Sequence, residues 1–383
     1  MMRVAQMIDN LEWGGAQKML VQLSGKLSER GIQVTLVSLY PPDGSPFRQQ
    51  ILDAGLRVET FAGAGLFDLA RLSRLEGWLR AEKFDLLQTY LTYANILGAL
   101  AGRLAGIPVV ASLRSAGLDP QHYHPLRYNL ESWLLRHAAE RVLVNGYSIA
   151  EAHRPRLGGT PIDVIPNAIS LPGRLTAQER AQVRQEWMGT DSLHRPVLIS
   201  VGRLVAPKGY SDLIQAFETV THSFPQACLW IVGGGDLLPD LQAQVHSLGL
   251  EEHVRLTGPR QDVPRLLAAA DVYVNASHWE GMSVAILEAL AAGLPVIATR
   301  VGDAGRIITP LTGRLVPPQR PDLLAEAMLE LLRQPQRWAE MGAAGRELVG
   351  REYNLEKWTD CFVDLYRGLA NGGHRAVVPG GLQ

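Results

Sequence analysis

The sequence predicts an α/β protein with two doubly wound parallel sheets. Short apolar runs typical of buried strands alternate with amphipathic helices along both halves of the chain, a pattern that favours parallel strands covered by helices. Loops that contain glycine follow several of these strands. The chain has 383 residues, more than one hydrophobic core usually supports, so two domains are expected.

Seven strands are expected in the first half of the chain. The first, at 3–8, leads into a helix from about Ala16 to Glu29 that ends before Gly31. One face of this helix carries Met19, Leu20, Leu23 and Leu27. The other strands are expected near 33–38, 57–61, 85–89, 108–112, 141–145 and 162–165.

The second half repeats the alternation, with strands expected near 197–201, 228–232, 254–257, 272–275, 295–299 and 313–316. A polar helix at 177–188 lies among prolines and glycines that suit a connector, which predicts an N-terminal domain at 1–168 and a C-terminal domain at 169–354. An amphipathic helix follows at about 355–370. Residues 372–383 contain glycine and proline without periodicity and are expected to be disordered.

Composition describes a soluble globular chain. Apolar residues make up 46% of the sequence and the formal net charge is −1, so no overall basic character indicates nucleic-acid binding. The two cysteines, Cys228 and Cys361, form neither a disulfide framework nor a metal-ligand cluster, and a reducing cytoplasm is the expected location. Neither a signal peptide nor a membrane span is expected.

Two carboxylates, Glu280 and Glu288, stand eight residues apart at a strand-to-helix junction. A buried strand is expected at 271–275 and a helix at 284–291, so Glu280 lies on the loop and Glu288 on the helix. Ser283 is expected to cap this helix. Ionised carboxylates only accept hydrogen bonds, which suits the vicinal hydroxyls of a sugar. The alternative is a pair of solvated glutamates on a helix surface.

The start of this helix is an expected phosphate-binding site. A helix N-terminus directs unpaired backbone N–H groups and the positive end of its dipole toward a ligand. The backbone of Gly281, Met282, Ser283 and Val284 is therefore expected to face phosphate oxygens across the crevice.

A second loop carries two cations between a strand and a helix. Gly202 and Gly209 bracket this loop and allow close backbone approach or a sharp turn. The Arg203 guanidinium can donate two parallel hydrogen bonds to phosphate oxygens, and Lys208 supplies a mobile point charge. The pair fits a diphosphate, and the alternative is an ordinary solvated loop.

Together these motifs resemble glycosyltransferase family 4, the group 1 glycosyltransferases, across nearly the whole chain. The resemblance implies two Rossmann-like domains facing each other across a cleft, the GT-B arrangement, and transfer with retention of anomeric configuration. It also implies that the C-terminal helix at about 355–370 packs back onto the first domain. It also implies that Arg203 and Lys208 contact the donor diphosphate. Glu280 is expected at the donor sugar and Glu288 at the ribose hydroxyls.

Weaker matches to the family support the resemblance by their order and spacing. They are Gly14-Gly15-Ala16-Gln17, Val164-Ile165-Pro166-Asn167 and Gly233-Gly234-Gly235. Gly14 and Gly15 follow the first strand, where their backbone either approaches a phosphate or the acceptor, or makes only a tight turn. Gly234 lines the nucleotide pocket or belongs to a turn with Asp236 as helix cap. Arg260 lies in a loop expected to contact the base through its backbone, whereas Asp262 is read as a structural helix cap.

Two positions depart from the family pattern. Many relatives carry a histidine near the donor sugar where this chain has Arg114, and a guanidinium does not serve as a general base. Arg114 therefore binds a phosphate or carboxylate of the acceptor, or is a surface arginine. Arg306 stands where relatives commonly have glutamate, which leaves the role of that loop open.

A segment of the first domain mixes aromatic residues with cations. It contains His122, His124, Arg127, Tyr128, Trp133 and Arg136. A helix that packs its aromatic face into the core is favoured, and contact with a membrane interface or a lipid-linked acceptor is the alternative.

The expected activity is hexosyl or glycosyl transfer from a nucleoside diphosphate sugar to a saccharide or lipid-linked saccharide, as in polysaccharide biosynthesis of the cell envelope. No cofactor is expected, and no spacing of histidines or carboxylates implies a metal. The expected location is the cytoplasm, and the alternative adds peripheral contact of the N-terminal domain with the inner face of the membrane. The alternatives are a sugar-nucleotide epimerase of similar fold and a catalytically silent binding subunit.

Overall fold

Two parallel sheets of seven and six strands organise the chain in a computed structural model, which describes residues 1–42, 44–115, 124–189 and 194–370. The first unit runs to Asn167 and also includes the C-terminal helix, Leu355–Ala370, and the second unit is Ala168–Asn354. The division between the units lies one residue before the boundary expected from the sequence. The expected disordered tail, 372–383, lies outside the described residues.

The first unit is a seven-stranded sheet in the order β3-β2-β1-β4-β5-β6-β7, with every neighbouring pair parallel. Its strands are β1 (Arg3–Ile8), β2 (Gln33–Ser38), β3 (Arg57–Thr60), β4 (Leu86–Tyr90), β5 (Val109–Leu113), β6 (Arg141–Val144) and β7 (Ile162–Val164). Its first helices are α1 (Gly15–Glu29), α2 (Arg48–Asp53), α3 (Leu69–Glu82), α4 (Thr92–Ala105), α5 (Pro125–Ala138) and α6 (Tyr147–Leu157).

Helices cover both faces of this sheet because side chains alternate along each strand. Ala5 and Met7 of β1 belong to a buried cluster with Leu75 of α3 and Leu97 of α4. Gln6, between them, turns to the other face, where α1 and the C-terminal helix lie.

A buried row of polar side chains joins the C-terminal helix to this sheet. The Gln6 amide donates to Gln88 Oε1 at 3.1 Å and to the Tyr366 hydroxyl at 3.0 Å. Ser24 of α1 donates to Gln6 Oε1 at 2.6 Å, and Gln88 donates to Ser112 at 2.9 Å. Each member thus has a partner, which buried polar groups require because an unpaired group costs about 1–3 kcal/mol.

The second unit is a six-stranded sheet in the order β10-β9-β8-β11-β12-β13. Its strands are β8 (Val197–Val201), β9 (Cys228–Val232), β10 (Val254–Leu256), β11 (Val272–Asn275), β12 (Val296–Thr299) and β13 (Gly313–Val316). Its helices are α7 (Ala177–Met188), α8 (Tyr210–Ser223), α9 (Leu238–Ser247), α10 (Val263–Ala269), α11 (Val284–Ala292), α12 (Ala304–Ile307), α13 (Pro321–Leu332) and α14 (Trp338–Glu352).

The second sheet is also buried on both faces. Leu198 of β8 belongs to the core on one face with Phe217 of α8, whereas Val197 and Ile199 belong to the core on the other with Leu287 of α11. All thirteen expected strands are confirmed, and their ends differ from the expected ones by at most one residue. The expected α/β class with two doubly wound parallel sheets is confirmed as well.

The preferred interpretation of the aromatic and cationic segment is wrong. Helix α5 does form there, but its buried residues are Glu131, Ser132, Leu134 and Leu135. Trp133 is 57% exposed and stacks on His137. Leucines at one side of the helix supply the core contact, so the tryptophan one position away points to solvent. His122 lies outside the described residues.

A buried ionic network ties α5 to α6. Arg156 donates to Glu131 at 2.9 Å, with both side chains less than 10% exposed, and Glu131 also accepts from Asn95 at 2.9 Å. Arg156 Nε donates to His153 Nδ1 at 2.7 Å, and His153 Nε2 lies 2.7 Å from the Ser115 carbonyl oxygen. Burial, with the neighbouring Arg156 charge, lowers the pKa of His153 to about 4.

We expect His153 to make the first unit sensitive to acid. Its folded-state pKa, about 4, lies below the ordinary value of 6.5, so its stabilising contribution is complete above pH 6.5 and is lost as the pH falls toward 4. The loss should approach about 3 kcal/mol. Urea titrations of the wild type and His153→Gln across this interval measure it as a difference in free energy of unfolding that shrinks with acidity.

Subtracting the variant from the wild type removes the contributions of other titrating groups, and the exposed His137→Gln serves as the matched control. A wild-type-minus-variant difference that stays constant between about pH 7 and about pH 4.5 would contradict the assignment.

Candidate functional site

Most of the predicted site residues lie on loops at one edge of the second sheet, or at the helix start that follows one of these loops. Strands β10, β9, β8 and β11 are neighbours, and the loops that follow them all leave the carboxyl ends of parallel strands. The chain moves outward from β8 to β9 and β10 and then returns to β11 on the other side of β8. Ligands of open parallel sheets bind at such a switch point.

The loop after β8 packs directly against the loop after β11. Gly209 has φ +63°, and a Cβ there would lie 2.1 Å from the Ala276 carbonyl oxygen. The backbone N–H of His278 also donates to the Pro207 carbonyl at 2.8 Å. Only glycine fits this position, because it combines a left-handed conformation with a close backbone approach. The two loops therefore hold a fixed spacing at the switch point.

The loop after β9 joins its neighbours through backbone contacts. Gly233 has φ +147°, a Cβ there would lie 1.9 Å from the Gly202 carbonyl oxygen, and its N–H donates to Gly258 at 3.0 Å. The Gly234 carbonyl accepts from Leu204 at 2.8 Å. Asp236 does not cap the next helix, since α9 begins at Leu238 with Leu237 in the capping position. The glycines thus bring three loops together.

Lys208 and Glu280 meet at this switch point as an ion pair. The ammonium of Lys208, at the end of the 3₁₀ turn Ala206–Lys208, contacts Glu280 Oε1, and their side chains are 23% and 15% exposed. Ser277 donates to the same carboxylate oxygen at 3.1 Å, and its own carbonyl accepts from Thr299 at 2.6 Å. Ser277 is fully buried and was not singled out from the sequence.

Two buried tyrosines lie near this pair. Burial raises the pKa of Tyr273 well above its ordinary value, and the charges of Glu280 and Glu288 add to the shift. Burial likewise raises the pKa of Tyr210, with Glu280 again contributing. The charges of both predicted sugar-binding carboxylates therefore act on the same buried tyrosine.

Helix α11 begins as expected, but without its expected side-chain cap. Ser283 occupies the capping position and is buried, yet its hydroxyl makes no capping hydrogen bond. The first-turn N–H groups of a helix have no partner within the helix, and the Ser283 side chain does not accept from them. Glu280, Gly281 and Ser283 share a narrow crevice with Asn275. Glu288 follows within α11 and is half-buried.

The remaining cations of the site differ in availability. Arg203 is exposed, and no ion pair involves it within residues 1–42, 44–115, 124–189 and 194–370. Arg260 instead donates to both oxygens of Asp262, at 2.7 and 2.8 Å, and its guanidinium lies 5.0 Å from the Trp187 ring centroid. Asp262 precedes α10 as expected but makes no capping bond, because its carboxylate is paired with Arg260.

In the first unit, Gly14 and Gly15 lie where β1 passes into α1. Gly14 occupies the capping position with no side-chain bond, and a Cβ there would lie 2.2 Å from Gln17 Oε1. The Gln17 amide donates to Asn10 at 2.9 Å, so the loop is ordered by side chains from both of its ends. Gly14 has an extended backbone and no side chain that could cap the first-turn amides of α1.

Asp9, at the end of β1, is a second residue that the sequence did not single out. Its carboxylate accepts the backbone N–H groups of Ala94, at 2.7 Å, and Tyr93, at 3.4 Å, and so caps α4 from another strand. Burial raises the pKa of Asp9 to about 7. The signal in the sequence was the absence of a capping residue before α4, where Leu91 stands.

Arg114 is not a surface arginine. Its guanidinium lies 5.2 Å from the Tyr90 ring centroid and donates to Asn167 Oδ1 at 2.8 Å, and burial lowers its pKa. The structure thus contradicts the surface interpretation and leaves the proposed role at the acceptor untested. Arg306, the other departure from the family pattern, is exposed on α12.

Within the described ranges, no group of three or more His, Cys, Asp or Glu side chains is arranged to hold a metal ion. Both cysteines are free thiols. In the same part of the chain, no helix combines the length and the apolar character needed to cross a membrane.

The two units, each built on a doubly wound parallel sheet, fit the GT-B class of glycosyltransferases. Residues 13–171 match glycosyltransferase family 4, and residues 195–334 match glycosyl transferases group 1. The chain belongs to this family, as the resemblance implied.

Characterised relatives extend along most of the chain. It is 28% identical over 378 residues to the phosphatidyl-myo-inositol mannosyltransferase of Mycobacterium leprae, covering 95% of this chain and 96% of the relative. It is 28% identical over 309 residues to the UDP-Gal:alpha-D-GlcNAc-diphosphoundecaprenol alpha-1,3-galactosyltransferase of Escherichia coli, covering 78% and 79%. These names favour a transferase over an epimerase or a silent subunit.

The fold is shared with solved structures. The Anabaena HepE protein in complex with UDP-glucose is similar with a TM-score of 0.86 and 21% sequence identity, covering 96% of this chain and all of that one. At this identity the likeness shows the fold alone.

Proposed function

We propose that the chain transfers a glycosyl unit from a nucleoside diphosphate sugar to a saccharide or lipid-linked acceptor with retention of configuration. The observation that carries the proposal is the meeting of Lys208 and Glu280 at the switch point of the second sheet, beside the uncapped start of α11. The same part of the structure thereby contains a cation for the diphosphate, a carboxylate for the sugar and a helix N-terminus. A nucleotide sugar requires this combination.

The leaving diphosphate is stabilised by charge in this proposal. Arg203, exposed on its loop, and Lys208 supply two cations, and the first-turn amides of α11 supply hydrogen-bond donors. Donors and charges held in place before the reaction stabilise the charge that develops as the glycosidic bond to the diphosphate breaks. The metal-independent mechanism that we propose follows, because these charges belong to the chain itself.

The two glutamates divide the donor between them. Glu288, held on α11, accepts the ribose hydroxyls, and Glu280, on the loop before it, accepts hydroxyls of the transferred sugar. We do not assign them as an acid and base pair, because both are assigned to hydroxyl recognition and Glu280 already accepts hydrogen bonds from Lys208 and Ser277.

The acceptor is proposed from the relatives. The names of two relatives specify a diphosphoundecaprenol-linked sugar and phosphatidyl-myo-inositol, so a lipid-linked acceptor suits this chain. We propose that it acts in the cytoplasm at the inner face of the membrane, with peripheral contact through the first unit. Exposed Trp133 and Leu126 on α5 supply apolar side chains for that contact.

The test is transfer from UDP- and GDP-sugars to lipid-linked saccharides, followed by mass spectrometry and by NMR of the anomeric centre. The wild type should form a new glycoside with the donor's configuration. Arg203→Ala should lower the transfer rate roughly tenfold to a hundredfold, because a charge-assisted hydrogen bond contributes about 1.5–3 kcal/mol.

The matched control is Arg314→Ala, an exposed arginine on β13 of the same unit. Equal rates for Arg203→Ala and the wild type would remove Arg203 from the diphosphate site. Formation of an epimeric donor without a glycoside would replace the transferase proposal with an epimerase.

Glu288→Gln should weaken free UDP or GDP and the intact donor to a similar extent. The substitution keeps the shape of the side chain but replaces a charged oxygen with an amide nitrogen, so ribose hydroxyls lose an acceptor that is present with or without the sugar. Calorimetric titrations of both ligands measure this, with the exposed Glu330→Gln as control. Unchanged affinity for the free nucleotide would place Glu288 away from the ribose.

Transfer should persist in EDTA. The cations proposed for the diphosphate are side chains of the protein, and Mg²⁺ would require a set of oxygen ligands. Initial rates before and after chelation are compared, and then after addition of Mg²⁺ or Mn²⁺. Loss of activity in EDTA that either metal restores would contradict metal independence.

A further inference from the structure

Lys208 is not free to attract an anion in the structure described above. Its ammonium contacts Glu280 Oε1, and both side chains are largely shielded from water. An opposite charge this close cancels most of the field that a lysine would present to a diphosphate. The same contact occupies a carboxylate oxygen that would otherwise accept a sugar hydroxyl.

The backbone around Lys208 is held by the packing of the two loops, whereas its side chain is held through the contact of the ammonium with Glu280. The Lys208 N–H donates to Val205 at 2.9 Å, and the next residue, Gly209, lies against Ala276. The aliphatic part of the lysine runs past Gly202, since a Cβ on Gly202 would lie 3.8 Å from Lys208 Cε. The flexible stem of a lysine can therefore redirect its ammonium without moving either loop.

Glu280 keeps a second partner that does not depend on Lys208. Ser277 donates to the carboxylate at 3.1 Å, and Ser277 is itself buried and bonded to Thr299. Loss of the lysine therefore leaves the carboxylate in position. One of its oxygens retains a hydrogen-bond donor, and the other lone pairs are open to a ligand.

We propose that binding of a nucleoside diphosphate replaces the ion pair between Lys208 and Glu280 with a contact between Lys208 and the diphosphate. This exchange of partners makes the Glu280 carboxylate available to the transferred sugar. The inference rests on the proposed function and adds an order of events to it. The diphosphate site is occupied first, and recognition of the sugar by Glu280 follows. It also assigns Glu280 an unfavourable effect on binding of the free nucleotide, since the diphosphate must break an existing ion pair.

The test is a double-mutant cycle in which UDP and GDP are titrated calorimetrically into four proteins without added metal. They are the wild type, Glu280→Gln, Lys208→Met and the double variant. Glu280→Gln should bind the free nucleotide up to about fivefold more tightly than the wild type, the range expected when a partly exposed ion pair no longer has to be broken. Lys208→Met should bind more weakly than the wild type.

The Lys208→Met background is the matched control for charge alone. Removal of the Glu280 charge reduces the repulsion of any anion, whether or not Lys208 is present. The exchange, in contrast, requires Lys208. Glu280→Gln should therefore give little further gain in nucleotide affinity when methionine occupies position 208. Matching thermal midpoints and circular dichroism spectra of the four proteins verify that each is folded.

The outcomes separate this inference from the proposed function. If the wild type binds nucleotide and Glu280→Gln binds it equally or more weakly, the exchange is wrong and the transferase proposal stands. If tightening by Glu280→Gln persists in full without Lys208, repulsion explains it and the exchange is again wrong. If the wild type binds neither UDP nor GDP, the diphosphate site itself is refuted, and the inference with it.

Discussion

The candidate site depends on the close backbone packing between the loops after β8 and β11. Gly209 lies so near the Ala276 carbonyl that no side chain fits, and its left-handed conformation also favours glycine. Because these loops follow adjacent parallel strands, the contact places Lys208, at the end of its 3₁₀ turn, beside Glu280 in the loop after β11. Lys208 and Glu280 are 72 residues apart in sequence, yet this packing makes them partners. Charge placement at the site is thus a consequence of backbone geometry.

The first unit is organised by buried polar contacts of a different kind. Gln6, Gln88 and Tyr366 bond across the sheet to the C-terminal helix, and Glu131 and Arg156 pair within the helical layer. Such networks contribute little net stability compared with apolar replacements, because the groups lose their hydration on burial. They do penalise every alternative packing that would leave a member unpaired. We therefore interpret them as specifying where the helices dock.

Membership of the family accounts for the proposed donor site better than for the proposed acceptor site. The loops after β8 and β11, with helix α11, carry the arginine, lysine and glutamates that the resemblance implied. In the first unit, Arg114 replaces the family histidine, and its guanidinium is held by Tyr90 and Asn167. An arginine remains protonated and does not serve as a base, so any role of this residue in transfer is electrostatic. Relatives with different acceptors also fit this division, because acceptors are bound mainly by variable loops.

The sequence by itself determined the strands, most helices and the loops that carry the site. Alternation and helical periodicity are local properties, so strands such as β8 and β11 and the start of α11 were predictable from the residues within them. Side-chain partners were not. Asp262 was expected to cap α10 but pairs with Arg260, Ser283 stands at a capping position without capping, and Trp133 faces solvent. Only the tertiary structure decided these outcomes, as it decided the pairing of Lys208 with Glu280, because each depends on which groups packing brings within hydrogen-bond distance.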